Sequence, residues 1–545
     1  MTQFINSTDH LVTDALDGLL RTHRLSRLDG YPHIKVIFRR DTGNASVALV
    51  SGGGSGHEPA HAGFVAEGLL SAAVCGEVFA SPSVEAVLAG ILAVTGDAGC
   101  LLIVKNYTGD RLNFGLAAER AKALGRKVEM VVVGDDVALP DLPQPRGVAG
   151  TLFVHKIAGH LASQGASLAT VASAARAVAK AARSYGVALD NCTVPGSSKD
   201  ARVPTGKAEL GLGIHGEPGV QMIDFTTATS VCTVLMDKLG ESLDGGTGQV
   251  MLLNNLGGAT PLEMQILLKT LLDTASGQHI RAVIGPAPMM TSLDMHGFSV
   301  SLLPAQEEWM QALESPVNCA AWPGSHRVGA IDVQPLPEGL RTTPGDSSHD
   351  ESVSGLIADS CAAFLAMQDD LNALDARTGD GDTGSTVAQA ARNLHAVIGK
   401  LPLADPPALL RAISDQLSVS MGGSSGVLLA ILFSAASDAA RAGDDTLTAL
   451  REGVRRMMTY GGASLGDRTM IDALVPALDE LLDSGSLQQA AQAARKGADA
   501  TARMSRARSG RSTYVPAASL QGVIDPGAEA VARYFAMLAA RNTSQ

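Results

Sequence analysis

The first third of the chain alternates short apolar runs with stretches of helical period. The apolar runs are rich in β-branched residues and predict four strands, at Ile34–Arg39, Val47–Ser51, Leu101–Lys105 and Val128–Gly134. Helical patterns lie between them, at Val84–Val94 and Leu116–Ala123. Strands that alternate with helices of about 10–15 residues predict a parallel sheet covered by helices.

The same alternation resumes after a loop-rich stretch at residues 191–208. Strands are predicted at Val250–Asn254 and Ile280–Gly285, and a helix at Pro261–Leu272 lies between them. We therefore predict that residues 1–335 form an α/β domain of two lobes, split near residue 190.

The pattern changes after residue 335. Residues 336–352 are rich in Pro, Gly, Ser, Thr and Asp, which predicts a linker. Beyond it strand signals almost vanish, and helices are predicted at Val387–Ile398, Pro407–Leu417, Val427–Ala440, Thr446–Met458, Thr469–Leu482, Ala490–Met504 and Ala528–Ala540. Residues 353–545 are therefore expected to form a separate all-α domain of about eight helices.

The composition and net charge of the chain argue against several classes of function. The 545 residues carry a net charge of −13 and only 3 % aromatic residues, which argues against nucleic acids and anionic membranes as partners. No signal peptide or uninterrupted apolar run of about 18 residues is recognisable. The six cysteines are scattered without a metal or disulfide pattern, so reduced thiols and a cytoplasmic location are expected.

An Asp/Gly-rich segment, DARTGDGDTGST at 375–386, is the strongest chemical signal in the chain. Asp375, Asp380 and Asp382 are separated by glycines that allow a tight turn, so their carboxylates can converge on a hard cation such as Mg²⁺ or Ca²⁺. Ser385 or Thr386 can cap the helix that follows, whose N-terminus favours phosphate. The alternative is a solvated Asp/Gly turn.

Two further loops precede predicted helices. MGGSSG at 421–426, which includes Gly423, Ser424 and Ser425, exposes amides and hydroxyls suited to an anion. Arg468 and Thr469, in GDRT at 466–469, open another helix; the arginine can reach a phosphate or only pair with a surface acid. Because the chain has no G-x-x-x-x-G-K-[ST] sequence, a nucleotide would depend on metal ions and helix termini.

The α/β part has glycine clusters of its own. SGGGSGHEP at 51–59 follows a predicted strand, so Gly53, Gly54 and His57 are expected at the carboxyl edge of the sheet, where ligands usually bind. Asp110 follows another strand and should emerge on the same edge. A histidine and an aspartate there make an acid–base pair plausible, although a lone histidine is often structural.

A third cluster, GLGIHGEP at 211–218, contains the spacing G-x-G-x-x-G of dinucleotide-binding proteins. We reject that interpretation, because the motif must open a helix and Pro218-Gly219 follow it here. His215, among glycines, is accessible to a small ligand and could attack a carbonyl.

Taken together, these blocks resemble the single-chain, ATP-dependent dihydroxyacetone kinases of bacteria. The similarity covers nearly the whole length, and adds CGEVFASPS at 75–83, KNYTGDRLNFGLA at 105–117, GDRTMIDAL at 466–474 and DPGA at 525–528. Several blocks in the same order are far more specific than any single one.

For the α/β part the resemblance implies a K domain that binds dihydroxyacetone. His215 would hold the ketone as a covalent hemiaminal and thereby exclude polyols such as glycerol. Gly53, Gly54, His57 and Asp110 match positions that hold the substrate hydroxyls. His57 and Asp110 would also assist proton transfer from the attacking hydroxyl.

For the helical part the resemblance implies an L domain, a barrel of eight antiparallel helices. Asp375, Asp380 and Asp382 would bind two Mg²⁺ ions that bridge the phosphates of ATP. The nucleotide would be surrounded by residues from four loops: Ser385, Thr386, Gly423, Ser424, Ser425, Arg468, Thr469, Asp525 and Gly527.

The resemblance also implies a homodimer in which domains are exchanged between subunits. Because both domains lie on one chain without a phosphotransferase-like segment, exchangeable ATP is expected as the donor. Glyceraldehyde is expected as a further substrate. The alternatives are a kinase for erythrulose or another short ketose, an FMN-forming lyase acting on FAD, and a non-catalytic regulator.

Overall fold

A computed structural model of the chain describes residues 3–41, 45–140, 144–199, 201–241, 248–337, 346–421, 423–508, 513 and 515–543. Internal contacts divide it into two compact units, Met1–Asp332 and Val333–Gln545. Residues 338–345 of the predicted linker lie outside the described residues.

The first unit begins with a six-stranded sheet in the order β1-β2-β4-β3-β5-β6. Its strands are β1 (Leu25–Arg27), β2 (Val36–Arg39), β3 (Ala48–Ser55), β4 (Ala72–Val78), β5 (Cys100–Lys105) and β6 (Val128–Val133). As predicted, β3, β5 and β6 pair in parallel, and so does β4, which was not among the predicted strands. The predicted strand at Ile34–Arg39 is β2, and its expected parallel pairing is wrong, because β2 pairs antiparallel with β1 and β4. The helices of this lobe are α1 (Leu11–Thr22), α2 (Val84–Val94), α3 (Thr108–Ala123), α4 (Thr151–Ser163) and α5 (Leu168–Ala181).

A seven-stranded sheet follows, in the order β13-β11-β10-β12-β7-β8-β9. Its strands are β7 (Arg183–Ala188), β8 (Lys207–Leu210), β9 (Gln221–Asp224), β10 (Gln249–Asn255), β11 (Ile280–Ala287), β12 (Gly297–Pro304) and β13 (Ser325–Arg327), and its helices are α6 (Ala228–Gly240), α7 (Pro261–Asp273) and α8 (Glu307–Glu314). The two strands predicted in this lobe are β10 and β11, and they pair in parallel as expected. The other described pairings of this sheet are antiparallel, so the parallel pattern does not extend to the rest of the lobe. The reason is connectivity, since loops rather than crossover helices join β7, β8 and β9.

The second unit is helical throughout its described part. Its helices are α9 (Glu351–Ala366), α10 (Gln368–Asp375), α11 (Thr383–Val397), α12 (Pro406–Ser420), α13 (Gly423–Ala442), α14 (Thr446–Gly461), α15 (Ile471–Ser484), α16 (Leu487–Thr501), α17 (Ala517–Leu520) and α18 (Pro526–Thr543). From α11 to α16 each helix packs on the next, and α18 packs on α16 and on α9 and α10. Apart from the short α10 and α17, eight helices thus close a ring, which confirms the predicted class.

Neighbouring helices of this ring run antiparallel. Between α12 and α13, Ser414 donates to the carbonyl of Ala430, whereas Ser437 donates to that of Pro407. The same reversed order relates α18 to the α9–α10 pair, through ion pairs of Arg533 with Asp370 and of Arg541 with Asp359. Consequently the turns before α11, α13, α15 and α18 lie at one end of the ring.

One described segment, Ser425–Ala442 in α13, is long and apolar enough by composition alone to cross a membrane, with a mean hydropathy of 1.3. It packs between α12 and α14. Asp438 within it forms an ion pair with Arg411 of α12. The segment is therefore a member of the helical ring.

Candidate functional site

The glycine-rich segment of the first sheet lies inside a strand. Gly52 to Ser55 continue β3, which corrects the expectation that these residues follow the strand. A Cβ atom on Gly53 would lie 2.7 Å from Lys105 Nζ and 3.4 Å from Asp110 Oδ2. On Gly54 it would lie 2.7 Å from the backbone nitrogen of Ala80. Glycine at 53 therefore keeps open the space in front of Lys105 and Asp110.

His57 is fully buried beyond the end of β3. Its Nδ1 lies 2.8 Å from the carbonyl oxygen of Thr291, which requires Nδ1 to carry the proton and donate it. Burial, together with the charges of Lys105 and His215, holds the pKa of His57 well below its ordinary value. The side chain is therefore neutral at pH 7, and Nε2, which has no hydrogen-bond partner among the described residues, is available to accept a hydrogen bond from a ligand.

Lys105 and Asp110 lie beside Gly53. Both are buried, and Lys105 donates from Nζ to His61 Nε2 at 2.8 Å. Burial lowers the pKa of Lys105, and the carboxylate of Asp110 acts in the opposite direction. In the described part of the chain, Asp110 Oδ1 is buried without a hydrogen-bond partner. These groups offer a polar ligand one cationic donor and one acceptor.

His215 comes from the second sheet, in the loop between β8 and β9. Since no helix follows the G-x-G-x-x-G segment, its rejection as a dinucleotide motif is confirmed. Glu217 accepts the backbone N–H of His215 at 2.8 Å and lies 3.1 Å from its Nδ1. Burial raises the pKa of Glu217, but the hydrogen bonds and charge of His215 outweigh burial and lower it to about 2. When the imidazole of His215 is neutral, its hydrogen bond to the ionised Glu217 places the proton on Nδ1 and leaves the lone pair on Nε2.

Aromatic rings enclose His215. Its ring centroid lies 4.8 Å from that of His57, 4.4 Å from Tyr107 and 5.3 Å from Phe79. The structure thus brings together the predicted His57 and His215, which are 158 positions apart in sequence. The hydroxyl of Tyr107 is another buried polar atom without a partner in the described residues. Several such atoms around one pocket fit a small polar ligand that supplies the missing hydrogen bonds.

Sequence reasoning missed four members of this pocket: Phe79, Lys105, Tyr107 and Glu217. Each lies in or directly next to a block that carries the resemblance. A lysine that ends a fully apolar strand is itself a signal, because Lys is rarely buried without a partner. No local pattern, however, indicates that Phe79 and Tyr107 flank His215.

In the helical unit the three predicted aspartates converge. Oxygen atoms of Asp375, Asp380 and Asp382 lie within 4.8 Å of one another, and Asp375 is buried whereas the other two are exposed. An all-carboxylate donor set that opens to solvent fits Mg²⁺, which keeps several waters and adds phosphate oxygens.

Asp375 also organises the loop. Its Oδ2 accepts the backbone N–H groups of Gly381, Asp382 and Thr383 at 3.0–3.2 Å. We expect Asp375→Ala to lower the free energy of unfolding of the helical unit by about 1–3 kcal/mol in metal-free buffer, because buried donors lose their acceptor. Urea unfolding followed by circular dichroism measures this. Asp483→Ala, which removes an exposed carboxylate from the same unit, is the control, and equal destabilisation by both variants would contradict the assignment.

The predicted capping role of Ser385 and Thr386 is wrong. Helix α11 begins at Thr383, so both residues lie within its first turn. The amide of Ser385 donates to Asn372 Oδ1 at 2.9 Å, and Asn372 Nδ2 donates to Ser385 Oγ at 2.8 Å. The preceding helix α10 therefore supplies the cap. Ser385 and Thr386 stay at the aspartate end of the ring.

The other predicted nucleotide loops lie at the same end. Gly422 and the side chain of Ser424 lie outside the described residues. Helix α13 begins at Gly423, and the half-buried Ser425 lies in its first turn. Met421, just before that helix, packs with Val387 and Ala390 of α11. The start of α13 therefore neighbours the start of α11.

Arg468 is buried, with 1 % of its surface exposed. It therefore does not form the surface ion pair that was one of the two interpretations of the sequence. Its Nη2 donates to the carbonyl of Val523 at 2.8 Å, and Nε and Nη1 have no partner in the described structure. Burial raises the pKa of the neighbouring Asp525 to about 6, and Arg468 acts against that rise. The amide of Thr469 donates to Asp472, and Gly527 lies against Met470. Arg468 and Asp525 therefore join the loop before α15 to the start of α18.

Comparison with known proteins is consistent with this arrangement. Residues 17–321 match the Dak1 domain and residues 377–540 match the DAK2 domain. The chain is 46 % identical to a dihydroxyacetone kinase of Citrobacter freundii over 98 % of each chain, and 38 % identical to a Homo sapiens triokinase/FMN cyclase over 97 % of each. The crystal structure of the C. freundii dihydroxyacetone kinase in complex with AMP-PNP and Mg²⁺ matches with a TM-score of 0.71 and 45 % identity, covering 99 % of both chains.

These matches confirm the resemblance stated from the sequence blocks. Both domain types occur in the same order on one polypeptide, and the similarity extends over almost the full length of both proteins compared. The chain therefore belongs to the dihydroxyacetone kinase family of phosphotransferases, as a single-chain member with a Dak1 and a DAK2 domain.

Proposed function

We propose that the protein transfers the γ-phosphoryl group of ATP to dihydroxyacetone and releases dihydroxyacetone phosphate and ADP. The observation that carries this proposal is the pocket of the first unit, in which His215 faces buried groups that have no hydrogen-bond partner within the described part of the chain. Such a pocket suits a small molecule with one carbonyl and two hydroxyls. The kinase named among the relatives supports the same substrate.

His215 is proposed to capture the ketone. Its Nε2 lone pair forms a bond to the ketone carbon, while the π electrons of the carbonyl move onto oxygen. The proton on Nδ1 passes to Glu217 and from there to that oxygen, so no proton is gained or lost overall. The product is a neutral hemiaminal. A polyol has no carbonyl carbon and cannot be held in this way.

His57 and Asp110 are proposed to assist phosphoryl transfer. As the hydroxyl oxygen bonds to the γ-phosphorus, the bond to the bridging oxygen breaks and ADP leaves with the electron pair. The hydroxyl proton passes to one of these two side chains, both of which present a buried acceptor atom. Lys105 and the backbone at Gly53 and Gly54 would orient the hydroxyls.

In the helical unit, Asp375, Asp380 and Asp382 are proposed to hold two Mg²⁺ ions with ATP. When bound, the metal neutralises negative charge on the phosphates, which is the main requirement of phosphoryl transfer. Ser385, Thr386, Ser425 and Thr469 would lie around the nucleotide, as would Gly423, Ser424 and Gly527. The unpartnered nitrogens of Arg468 would turn toward the same ligand, with Asp525 behind them.

Four expectations from the sequence stay predictions. They are the domain bounds 1–335, 336–352 and 353–545, the cytoplasmic location, the homodimer with exchanged domains, and activity on glyceraldehyde. An FMN-forming activity on FAD is a second candidate, because a relative of 38 % identity is named a triokinase/FMN cyclase.

ADP release from Mg·ATP tests the proposal directly. We expect turnover with dihydroxyacetone, slower turnover with glyceraldehyde and none with glycerol. Faster turnover with an erythrulose would move the substrate to four-carbon ketoses. FMN release from FAD, measured in the same buffer, tests the second activity. Absence of turnover with every ketone would contradict the proposed function.

A further inference from the structure

Two arginines hold the loop that carries His215. Arg146 Nη2 donates to the carbonyl of Gly211 at 2.8 Å, and Arg202 Nη1 donates to that of Gly216 at 2.7 Å. Both glycines have left-handed backbone, with φ of +70° and +76°, so they are the bends of the loop. The two guanidinium groups therefore hold the loop at the two points where its direction changes.

Arg146 connects this loop to the first sheet. Its Nε donates to Asp136 Oδ2 at 2.7 Å, and the side chains of Arg146 and Asp136 are only 13 % and 4 % exposed. Asp136 follows β6, and its other oxygen accepts the amide of Ala138 at 2.9 Å. Since β6 belongs to the sheet that supplies His57 and Asp110, Arg146 ties the His215 loop to the other half of the pocket.

Arg202 closes the opposite end of the loop. Its Nε and Nη2 donate to Glu209 Oε2 at 3.2 and 2.8 Å, and the Glu209 side chain is 5 % exposed. The second oxygen, Oε1, accepts the amide of Gly219 at 2.8 Å. Glu209 lies on β8 and Gly219 lies beyond His215, so this pair joins the start of the loop to its end.

We propose that Arg146 and Arg202 are positioning residues for His215, which set its distance from His57 and Asp110 across the two sheets. This inference rests on the proposed capture of the ketone by His215. His215 and the acid–base pair come from different sheets, so nothing local to either sheet fixes their separation. A displacement of about 1 Å in such a site can cost about 10²-fold in rate.

The conservative replacement by lysine is the informative one. A guanidinium donates to a carboxylate and a carbonyl at once, whereas an ammonium is a point charge on a flexible stem. Arg146→Lys and Arg202→Lys therefore keep the charge but lose the two-ended contact. Arg183→Lys is the matched control, since Arg183 also donates to backbone carbonyls, at the end of α5.

Hydrogen exchange and steady-state kinetics of the full-length protein test the proposal. In both variants we expect peptides covering residues 211–219 to exchange at least about tenfold faster, because the loop opens locally. We expect the KM for dihydroxyacetone to rise about 10–100-fold, while the KM for ATP stays within twofold. The control should match the unmodified protein. Melting temperatures identify a misfolded variant, and Arg202→Lys, at the more exposed pair, provides the test if Arg146→Lys does not fold.

The positioning role of the arginines and the covalent capture of the ketone are tested by separate measurements. Unchanged exchange of residues 211–219 and an unchanged KM for dihydroxyacetone in both lysine variants would overturn the positioning role. The ¹³C signal of [2-¹³C]dihydroxyacetone reports the covalent step independently, because the ketone carbon becomes tetrahedral in the adduct. If the unmodified protein gives no adduct that His215→Ala abolishes, the capture step fails, while exchange and KM still decide the role of the arginines.

Discussion

Asp380→Ala should abolish phosphoryl transfer and leave ketone binding intact. Asp380 is an exposed member of the carboxylate group in the helical unit, whereas the proposed ketone pocket is built from residues of the other unit. Losing one carboxylate would weaken the proposed hold on Mg²⁺, and the charge on the phosphates would then be less well neutralised. Electrostatic contributions of this kind are worth about 10³-fold or more in kcat. ADP release at saturating Mg·ATP measures turnover, and calorimetry with dihydroxyacetone measures binding.

Asp483→Ala is a matched control for this substitution. Asp483 is an exposed carboxylate near the C-terminal end of α15, at the opposite end of the helical ring. Its removal changes the net charge of the protein by the same amount and should leave kcat within twofold. Full turnover in the Asp380 variant would remove this residue from the proposed metal site. Loss of dihydroxyacetone binding in that variant would show that the substitution acts beyond the metal.

His215→Ala should weaken retention of dihydroxyacetone far more than it weakens binding of ATP. The substitution removes the only nitrogen proposed to bond to the ketone, so we expect the KM for dihydroxyacetone to rise about 10²-fold or more. Discrimination against glycerol, expressed as the ratio of kcat/KM values, should fall by a similar factor. The KM for ATP should change less than twofold, because no proposed nucleotide contact lies in this unit.

A second variant is needed because Glu217, the hydrogen-bond partner of His215, remains in the His215→Ala protein. Glu217 is half-buried, and without His215 its charge would lose a hydrogen bond and a favourable interaction. His215→Ala with Glu217→Gln removes that charge and separates loss of the nucleophile from loss of stability. His279→Ala, an exposed histidine in the same unit, is the control. Equal weakening of ATP and dihydroxyacetone binding would contradict the role of His215.

Much of the fold could be predicted because its signals are local. The period of apolar positions changes from strand-like to helical near residue 335, and the contact-based division falls at Asp332. The aspartate loop was also predictable, since its three carboxylates lie within eight residues and glycines between them permit one tight turn. Predictions of this kind succeed because the interacting atoms belong to one short segment.

The strand pairing of the second sheet could be predicted only in part from local sequence patterns. Alternating strands and helices correctly predicted parallel pairing of β10 and β11, but most other strands of that sheet pair antiparallel. The burial of Arg468 could not be predicted either, because the residue lies in a Gly/Asp-rich loop, and such loops are usually exposed. It is covered by Val523 and Asp525, more than 50 positions away.

The sequence by itself determined the two fold classes and the aspartate loop, since periodicity and turn chemistry act over a few residues. Only the tertiary structure decided that His215 lies 4.8 Å from His57, that Lys105 faces Gly53, and that Arg146 joins the two sheets. These contacts depend on how separate sheets pack, and that packing minimises the free energy of the whole unit rather than of any one segment.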